Sequence, residues 1–462
     1  MTSQTTSSSL ASPSAAPTFE QTLIAPLGYH VTANHTIELG GVALQELIDT
    51  YGTPLYVMDA KTIRTAARSY VHTLKKHYAG EVLVAFACKA NLNMGLATLF
   101  KEEGVGLDVV SAGELYTAQQ VNFPAERIVF NGNNKSVAEL RMALQYKVNR
   151  IIVDNVDELH RLATVARELQ TKVAILVRVA PGIECHTHEY IRTGQNDSKF
   201  GVPLAHLSKV IDIIVNEYAD CIELKGIHGH IGSQIFELKV YTDLVEMYLN
   251  VAYNVRKQYG ITFEDLDLGG GLGIAYTHAD DPQEIDTLME LMGKHLTTYA
   301  QKLDMPLPRL IVEPGRSMVA RAGVTLYTVG GRKDVEGAQP FLSVDGGMGD
   351  NIRPALYQAE YSAVVANKLG EPLTGDPVRI VGKYCESGDV VLRNFNAPNI
   401  QPNDVLLVFG TGAYNYTMSS NYNRIGRPAM VLVENGQHAL LLERESLEYL
   451  VQNDRVPHWL NA

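Results

Sequence analysis

From residue 82 onward, short apolar runs alternate with segments whose apolar positions recur every three or four residues. The runs begin near Val82, Val105, Arg127, Arg150, Lys172, Glu223, Phe263 and Arg309. Between them, Ser111-Ala112-Gly113-Glu114 and Ser136-Val137-Ala138-Glu139 match the S-x-x-E box that opens a helix. Leu204–Tyr218 and Tyr241–Tyr259 have the length and periodicity of amphipathic helices. Eight strand–helix alternations over roughly 240 residues predict a (β/α)8 barrel, an α/β fold, with a doubly wound open sheet as the alternative.

After Arg321 the pattern changes. Val324–Val329, Phe341–Val344, Val378–Val381, Val405–Phe409 and Met430–Val433 read as strands separated by Gly, Pro and Asn. Glu434-Asn435-Gly436-Gln437 carries an Asn-Gly hairpin turn. The expected organisation is a disordered tail over 1–27 and a segment over 28–59 that packs with the β domain. The barrel follows over 60–320, and a C-terminal mainly-β domain over 321–462. Residues 1–17 are rich in Ser, Thr and Ala and lack a basic or apolar signal region.

Composition narrows the function classes. The 462 residues are 46% hydrophobic and 19% charged, as in a soluble globular chain with a large core. A net charge of −12 argues against nucleic acid and against anionic membrane surfaces. Cys88, Cys185, Cys221 and Cys385 have no CxxC spacing, so reduced thiols in the cytoplasm are expected, with no metal.

In barrels of this kind the chemistry gathers at the C-terminal strand ends, and here those ends are polar. They offer Lys89, Asp108, Asn131-Gly132-Asn133-Asn134, Arg178, His228-Gly229-His230, Gly269-Gly270-Gly271 and Glu313-Pro314-Gly315-Arg316. Lys89 ends the run Val82–Cys88. Its plain reading is a side chain that snorkels into solvent; its chemical reading is a partly desolvated amine that forms a Schiff base. The three glycines allow a backbone to approach an anion closely, and Ser233 adds a hydroxyl. His228 and His230 lie two apart on a strand and face one side. They suit either a metal, for which the motif itself offers no third ligand, or stacking on an aromatic ring. His186-Thr187-His188 is read as part of the active-site rim. Glu313 either pairs with Arg316 or keeps a heterocyclic nitrogen protonated. A Schiff-base lysine, phosphate cradle, stacking imidazole and nitrogen-pairing carboxylate together describe pyridoxal 5'-phosphate.

With those residues in hand, the chain resembles the diaminopimelate decarboxylase family, of the alanine-racemase-like fold group, from about residue 28 to its end. The motifs are ACKAN at 87–91, FNGNNKS at 130–136, HTHEYIRTGQNDSKFG at 186–201, HIGSQ at 230–234 and GGGLGI at 269–274. EPGR at 313–316, IRPALY at 352–357, CESGD at 385–389, and GAY followed by MSSNYN near Tyr414 complete them. The resemblance implies that Lys89 carries the cofactor and His230 stacks on its ring. Ser233, Gly269, Gly270, Gly271 and Tyr414 would hold phosphate, and Glu313 would meet the ring nitrogen. Asp108, Arg178, Pro314, Gly315 and Arg316 complete the expected cofactor-binding set. Arg316, Arg353, Tyr357, Glu386 and Tyr414 would touch substrate, and Cys385 would be the acid, making Lys89, Cys385 and His230 the catalytic set.

The implied reaction is decarboxylation of meso-2,6-diaminopimelate to L-lysine and CO2, by a homodimer with active sites at its interface. Arginines suit the distal carboxylate, and Glu386 suits the distal ammonium. A decarboxylase of ornithine, arginine or a carboxylated polyamine is the alternative. A non-catalytic regulator and a racemase of the same fold are more distant ones. Cys88 stands where an aliphatic residue is usual, and alternation predicts that it packs away from Lys89.

Overall fold

The computed structural model describes residues 18–180, 199–374 and 376–460. Eight parallel strands form the barrel: Val82–Ala87, Gly106–Val109, Ile128–Phe130, Arg150–Val153, Val173–Ala180, Ile222–His228, Asp265–Asp267 and Arg309–Val312. Neighbours pair in chain order, and the eighth strand closes on the first through Ile311 opposite Leu83. The open-sheet alternative is thereby excluded. Leu83, Ala85, Val129, Ile152, Leu176 and Ile311 fill the interior. Beneath them Asp265 accepts from Arg309 Nε at 2.8 Å and Arg150 Nε at 2.5 Å, joining three strand starts in one buried ion cluster. Stability groups thus sit at one end of the barrel and leave the other for chemistry.

Helices wrap the outside, beginning with Ala60–His77, whose N-cap Asp59 accepts from Thr62 N at 3.0 Å. Ser136 and Glu139 form the reciprocal capping box predicted for Val137–Tyr146. The first S-x-x-E match does so only in part. Ser111 caps Glu114 N, but the Glu114 carboxylate accepts from Val110 N at 2.6 Å. No helix among the described residues is long and apolar enough to cross a membrane.

The second layer is a nine-stranded sheet, and its backbone strand is Gly323–Lys333. Leu55–Asp59 pairs with that strand on one side and with Ala429–Glu434 on its own other side. The chain therefore enters through the β domain, builds the barrel, and returns. Glu434 pairs with Gln437 across Asn435 (φ 51°) and Gly436 (φ 78°), a turn that needs two left-handed residues. Residues 1–17 lie outside the described residues. The expectation of disorder up to residue 27 is corrected: Phe19, Ile24 and Ala25 are buried in the cluster that holds Val324, Leu326 and Phe409. Phe19 stacks on His278, and Arg321 donates to the carbonyls of Thr22 and Ala25. Apolar anchors outweigh the polar composition there.

Candidate active site

Strand one ends at Ala87, and the 3-10 turn Cys88–Ala90 separates two side chains. Cys88 enters the core, where burial pushes its thiol up. Lys89 emerges into a cavity of about 660 Å3, shared with Glu114, His230, Ser233, Tyr276, Arg316, Arg353, Tyr357 and Tyr414. The expected partly desolvated lysine is corrected: the turn swings its side chain out of the strand, and it is exposed within the cavity. Tyr414 N donates to Ala90 O at 2.8 Å, and Thr417 Oγ1 donates to Lys89 O at 3.1 Å, so the β domain pins this turn.

The cavity floor is a carboxylate network. Asn131 Nδ2 lies 2.7 Å from both Asp108 Oδ1 and Glu313 Oε1, and His228 Nε2 lies 3.1 Å from Glu313 Oε2. Burial opposes ionisation of Glu313, but the His228 contact outweighs it and holds that carboxyl below its ordinary range. Asp108 and Asp267 go the other way, raised by burial and then by the charge on Glu313. Buried like charges oppose one another, so the three carboxyls are pushed apart, Glu313 toward the charged form and Asp108 and Asp267 toward the neutral form. A Glu313–Arg316 pair is not what forms: Arg316 Nη1 donates to Tyr276 Oη at 2.6 Å, and its Nη2 to Ser233 Oγ at 3.0 Å. The fold brings Asp267 and Glu313 to His228, with one ligand atom of each within 4.8 Å of the others, and leaves His230 outside that cluster. The two imidazoles diverge, His228 toward Glu313 and His230 toward the glycine loop.

Gly270 N donates to His230 Nδ1 at 3.3 Å. Burial, then the charges of Lys89 and Arg178, keep the His230 imidazole neutral by lowering its pKa well below the usual value. The glycine loop is a close fit. A Cβ on Gly270 would lie 2.2 Å from Glu313 O, and one on Gly271, at φ 119°, 2.7 Å from Gly232 O. Lys89, Asp108, His230, Ser233, Gly271, Glu313, Gly315, Arg316 and Tyr414 enclose an inner cavity of about 50 Å3. Hydroxyl, guanidinium and backbone donors stand with an ionised carboxylate around one amine. That donor set fits pyridoxal phosphate, whose anion and ring nitrogen need these partners.

The remaining predicted residues separate by position. Gly269, Gly270 and Pro314 sit behind the inner cavity against Tyr70 and Tyr241. Arg178 lies off the cavity lining, 3.9 Å from Asp154 and stacked 4.3 Å from the Phe200 ring centre. Cys385 and Glu386 are exposed and do not line their own chain's cavity; Cys385 N donates to Asn423 and Cys385 O accepts from Tyr422. The His186/His188 rim loop lies outside the described residues.

Sequence reasoning missed Glu114, whose carboxyl burial lifts to about 7, and the aromatic pair Tyr276 and Tyr361 beside Arg353. It also gave no role to Asn131, although FNGNNKS was singled out. An uncharged amide beside strand-end acids was the available signal.

The family described as pyridoxal-dependent decarboxylase, pyridoxal binding domain, matches residues 61–320. The diaminopimelate decarboxylase of Synechocystis sp. is 42% identical over 99% of this chain and 98% of its own. That of Bacillus subtilis is 45% identical over 90% of this chain and 95% of its own. The crystal structure of diaminopimelate decarboxylase from M. jannaschii in co-complex with L-lysine superposes with a TM-score of 0.87 at 32% identity. It covers 95% of this chain and 100% of the other.

Proposed function

The chain belongs to the diaminopimelate decarboxylase family of pyridoxal-phosphate enzymes, and from that premise we propose how its own residues divide the work. It decarboxylates meso-2,6-diaminopimelate to L-lysine and CO2. The observation that carries the assignment of roles is the opening of Lys89, His230, Arg316 and Arg353 onto one cavity.

Lys89, His230, Ser233, Gly271, Glu313, Arg316 and Tyr414 would hold the cofactor. When bound, pyridoxal phosphate supplies a carbonyl for an amine and a ring that accepts the electron pair left by CO2. Glu313, kept ionised by His228, stabilises a proton on a facing nitrogen. His230, lowered in pKa by burial, would offer its uncharged face to the cofactor ring. Arg316 and Arg353 hold the carboxylate of the non-reacting centre, with Tyr357 and Tyr414 beside them. That demand separates this substrate from ornithine, which has no second carboxylate. Turnover of L-ornithine at rates matching meso-diaminopimelate would overturn the assignment.

The acid and the ammonium-binding group come from a second copy. Cys385 and Glu386 of the partner subunit enter the cavity, and the Cys385 thiol protonates the carbon that has lost CO2. The support is positional: both residues are exposed on their own chain, and a set of exposed apolar residues lies on the segment tied to the turn beside them. Leu447 (78% exposed), Val456 (66%), Trp459 (70%) and Leu460 (66%) lie on the C-terminal segment. Arg424 donates to Leu450 O and so ties that segment to the Tyr422–Arg424 turn that touches Cys385. An apolar surface of this kind marks an interface. We also assign the enzyme to the cytoplasm, where the thiol it requires stays reduced.

Mixing Lys89→Ala with Cys385→Ala subunits tests the shared site. Random pairing gives mixed dimers with one intact site each, so activity should recover to about a quarter of wild type. No recovery from two separately inactive proteins, with exchange verified, refutes it.

A further inference from the structure

Two buried guanidiniums stand side by side in the cavity, Arg316 at 7% and Arg353 at 6% exposure. Like charges so placed repel and need partners that repay desolvation. Tyr276 meets both. Its Oη accepts from Arg316 Nη1 at 2.6 Å, and its ring lies 4.9 Å beneath the Arg353 guanidinium carbon. Its backbone is fixed from two sides: Tyr276 N donates to Asp280 Oδ2 at 2.9 Å, and Ser362 Oγ donates to Tyr276 O at 2.8 Å. Tyr361 packs edge-on against the Tyr276 ring with centroids 5.3 Å apart, and accepts from Arg353 Nη1. Ser233 takes the other edge of Arg316.

We propose that Tyr276 is a positioning residue that couples Arg316 to Arg353 and so sets affinity for the carboxylate of the non-reacting centre. The inference rests on the reading that these arginines hold that carboxylate. Tyr276 offers one cation its oxygen and the other its π face, using the two polar aspects of a single ring. The planes of both guanidinium forks are thereby set before ligand arrives, and less ordering is lost on binding. Burial alone would raise the Tyr276 phenol. Arg316 and Arg353 outweigh that and bring it below its ordinary value, as expected of a phenol beside two cations. Ser233 keeps its own hold on Arg316, so the cofactor side should not depend on the phenol.

The test uses the holoenzyme and Tyr276→Phe, which keeps the ring and removes the oxygen. L-Lysine, the product, retains the non-reacting carboxylate; cadaverine, its decarboxylated analogue, has none. A charge-assisted hydrogen bond corresponds to about tenfold in affinity. The KM for meso-diaminopimelate and the inhibition constant of L-lysine should therefore both rise about tenfold. Over the same change, kcat and pyridoxal-phosphate affinity by absorbance titration should stay within about twofold. Inhibition by cadaverine should not change. Equal weakening of L-lysine and cadaverine would mean a general loosening and overturn the proposal, as would no change in either. Arg353→Lys is the companion variant. If it leaves L-lysine inhibition unaltered, the carboxylate-site reading itself falls. If it weakens L-lysine while Tyr276→Phe does not, only the role of Tyr276 falls.

Discussion

Lys135→Met should cost this protein more stability than any surface substitution and should also disable a site that Lys135 does not line. Its side chain is 1% exposed; the ammonium donates to Gly132 O at 2.7 Å and Ile152 O at 2.8 Å and forms an ion pair with Glu158 Oε1 at 2.8 Å. Burial lowers the lysine and raises the glutamate, with mutual attraction opposing both shifts. Desolvation is therefore not fully repaid by the pair. Removing the cation strands Glu158, whose side chain is fully buried, and breaking a buried pair costs about 3–5 kcal/mol. The melting temperature should fall by about 3–5 °C. Activity should fall as well, because Gly132 follows Asn131, whose amide joins Asp108 to Glu313. The double variant Lys135→Met/Glu158→Leu separates the two effects. Without a stranded charge it should recover part of the loss, since apolar replacement of a buried pair is often neutral, while the two carbonyls that lose their donor keep it below wild type. Its activity should stay low, because the Gly132 and Ile152 carbonyls are still unlatched. Calorimetry and steady-state turnover on the three proteins decide the matter. A single variant within about 1 kcal/mol of wild type, or a double variant no better than the single, would refute the reasoning.

Two further predictions concern the site and its support. Gly270→Ala places a Cβ 2.2 Å from Glu313 O, so the loop and strand must part; pyridoxal-phosphate affinity by absorbance titration should drop more than about tenfold. Asp350, buried and hydrogen-bonded by Tyr327, Tyr384 and Gly347 N, is raised by burial from 3.8 to about 7. The folded state thus retains a proton that the unfolded chain releases between those values. Its stability contribution is present at low pH and lost as pH rises through about 7. Asp350→Asn should flatten that part of the melting-temperature profile and be the more stable protein at pH 8; an unchanged slope would count against the assignment.

Much of the barrel was legible because its signals are local. Apolar runs mark strands that are buried on both faces, and the Ser136–Glu139 box opens its helix as written. The Asn435-Gly436 turn needs only its own two residues. Legibility failed where a distant group decided the outcome. Ser111-x-x-Glu114 carries the same letters as the second box, yet Glu114 turns to Val110 N and the cavity edge. Residues 18–27 looked like tail until Phe409 and Arg321, far along the chain, gave them partners.

The sequence by itself determined which chemistry the strand ends hold: an amine at Lys89, glycines that admit an anion, a carboxylate at Glu313 and an arginine at 316. Each is a residue type whose reactivity travels with it. Only the tertiary structure decided how those groups are biased. Glu313 is drawn toward its charged form by His228, while burial and that same charge push Asp108 and Asp267 toward their neutral forms. Arg316 faces Ser233 and Tyr276 rather than Glu313. Cys385 stands outside its own cavity. Charge, protonation and reach depend on distances between strands, and no spacing along one chain records them.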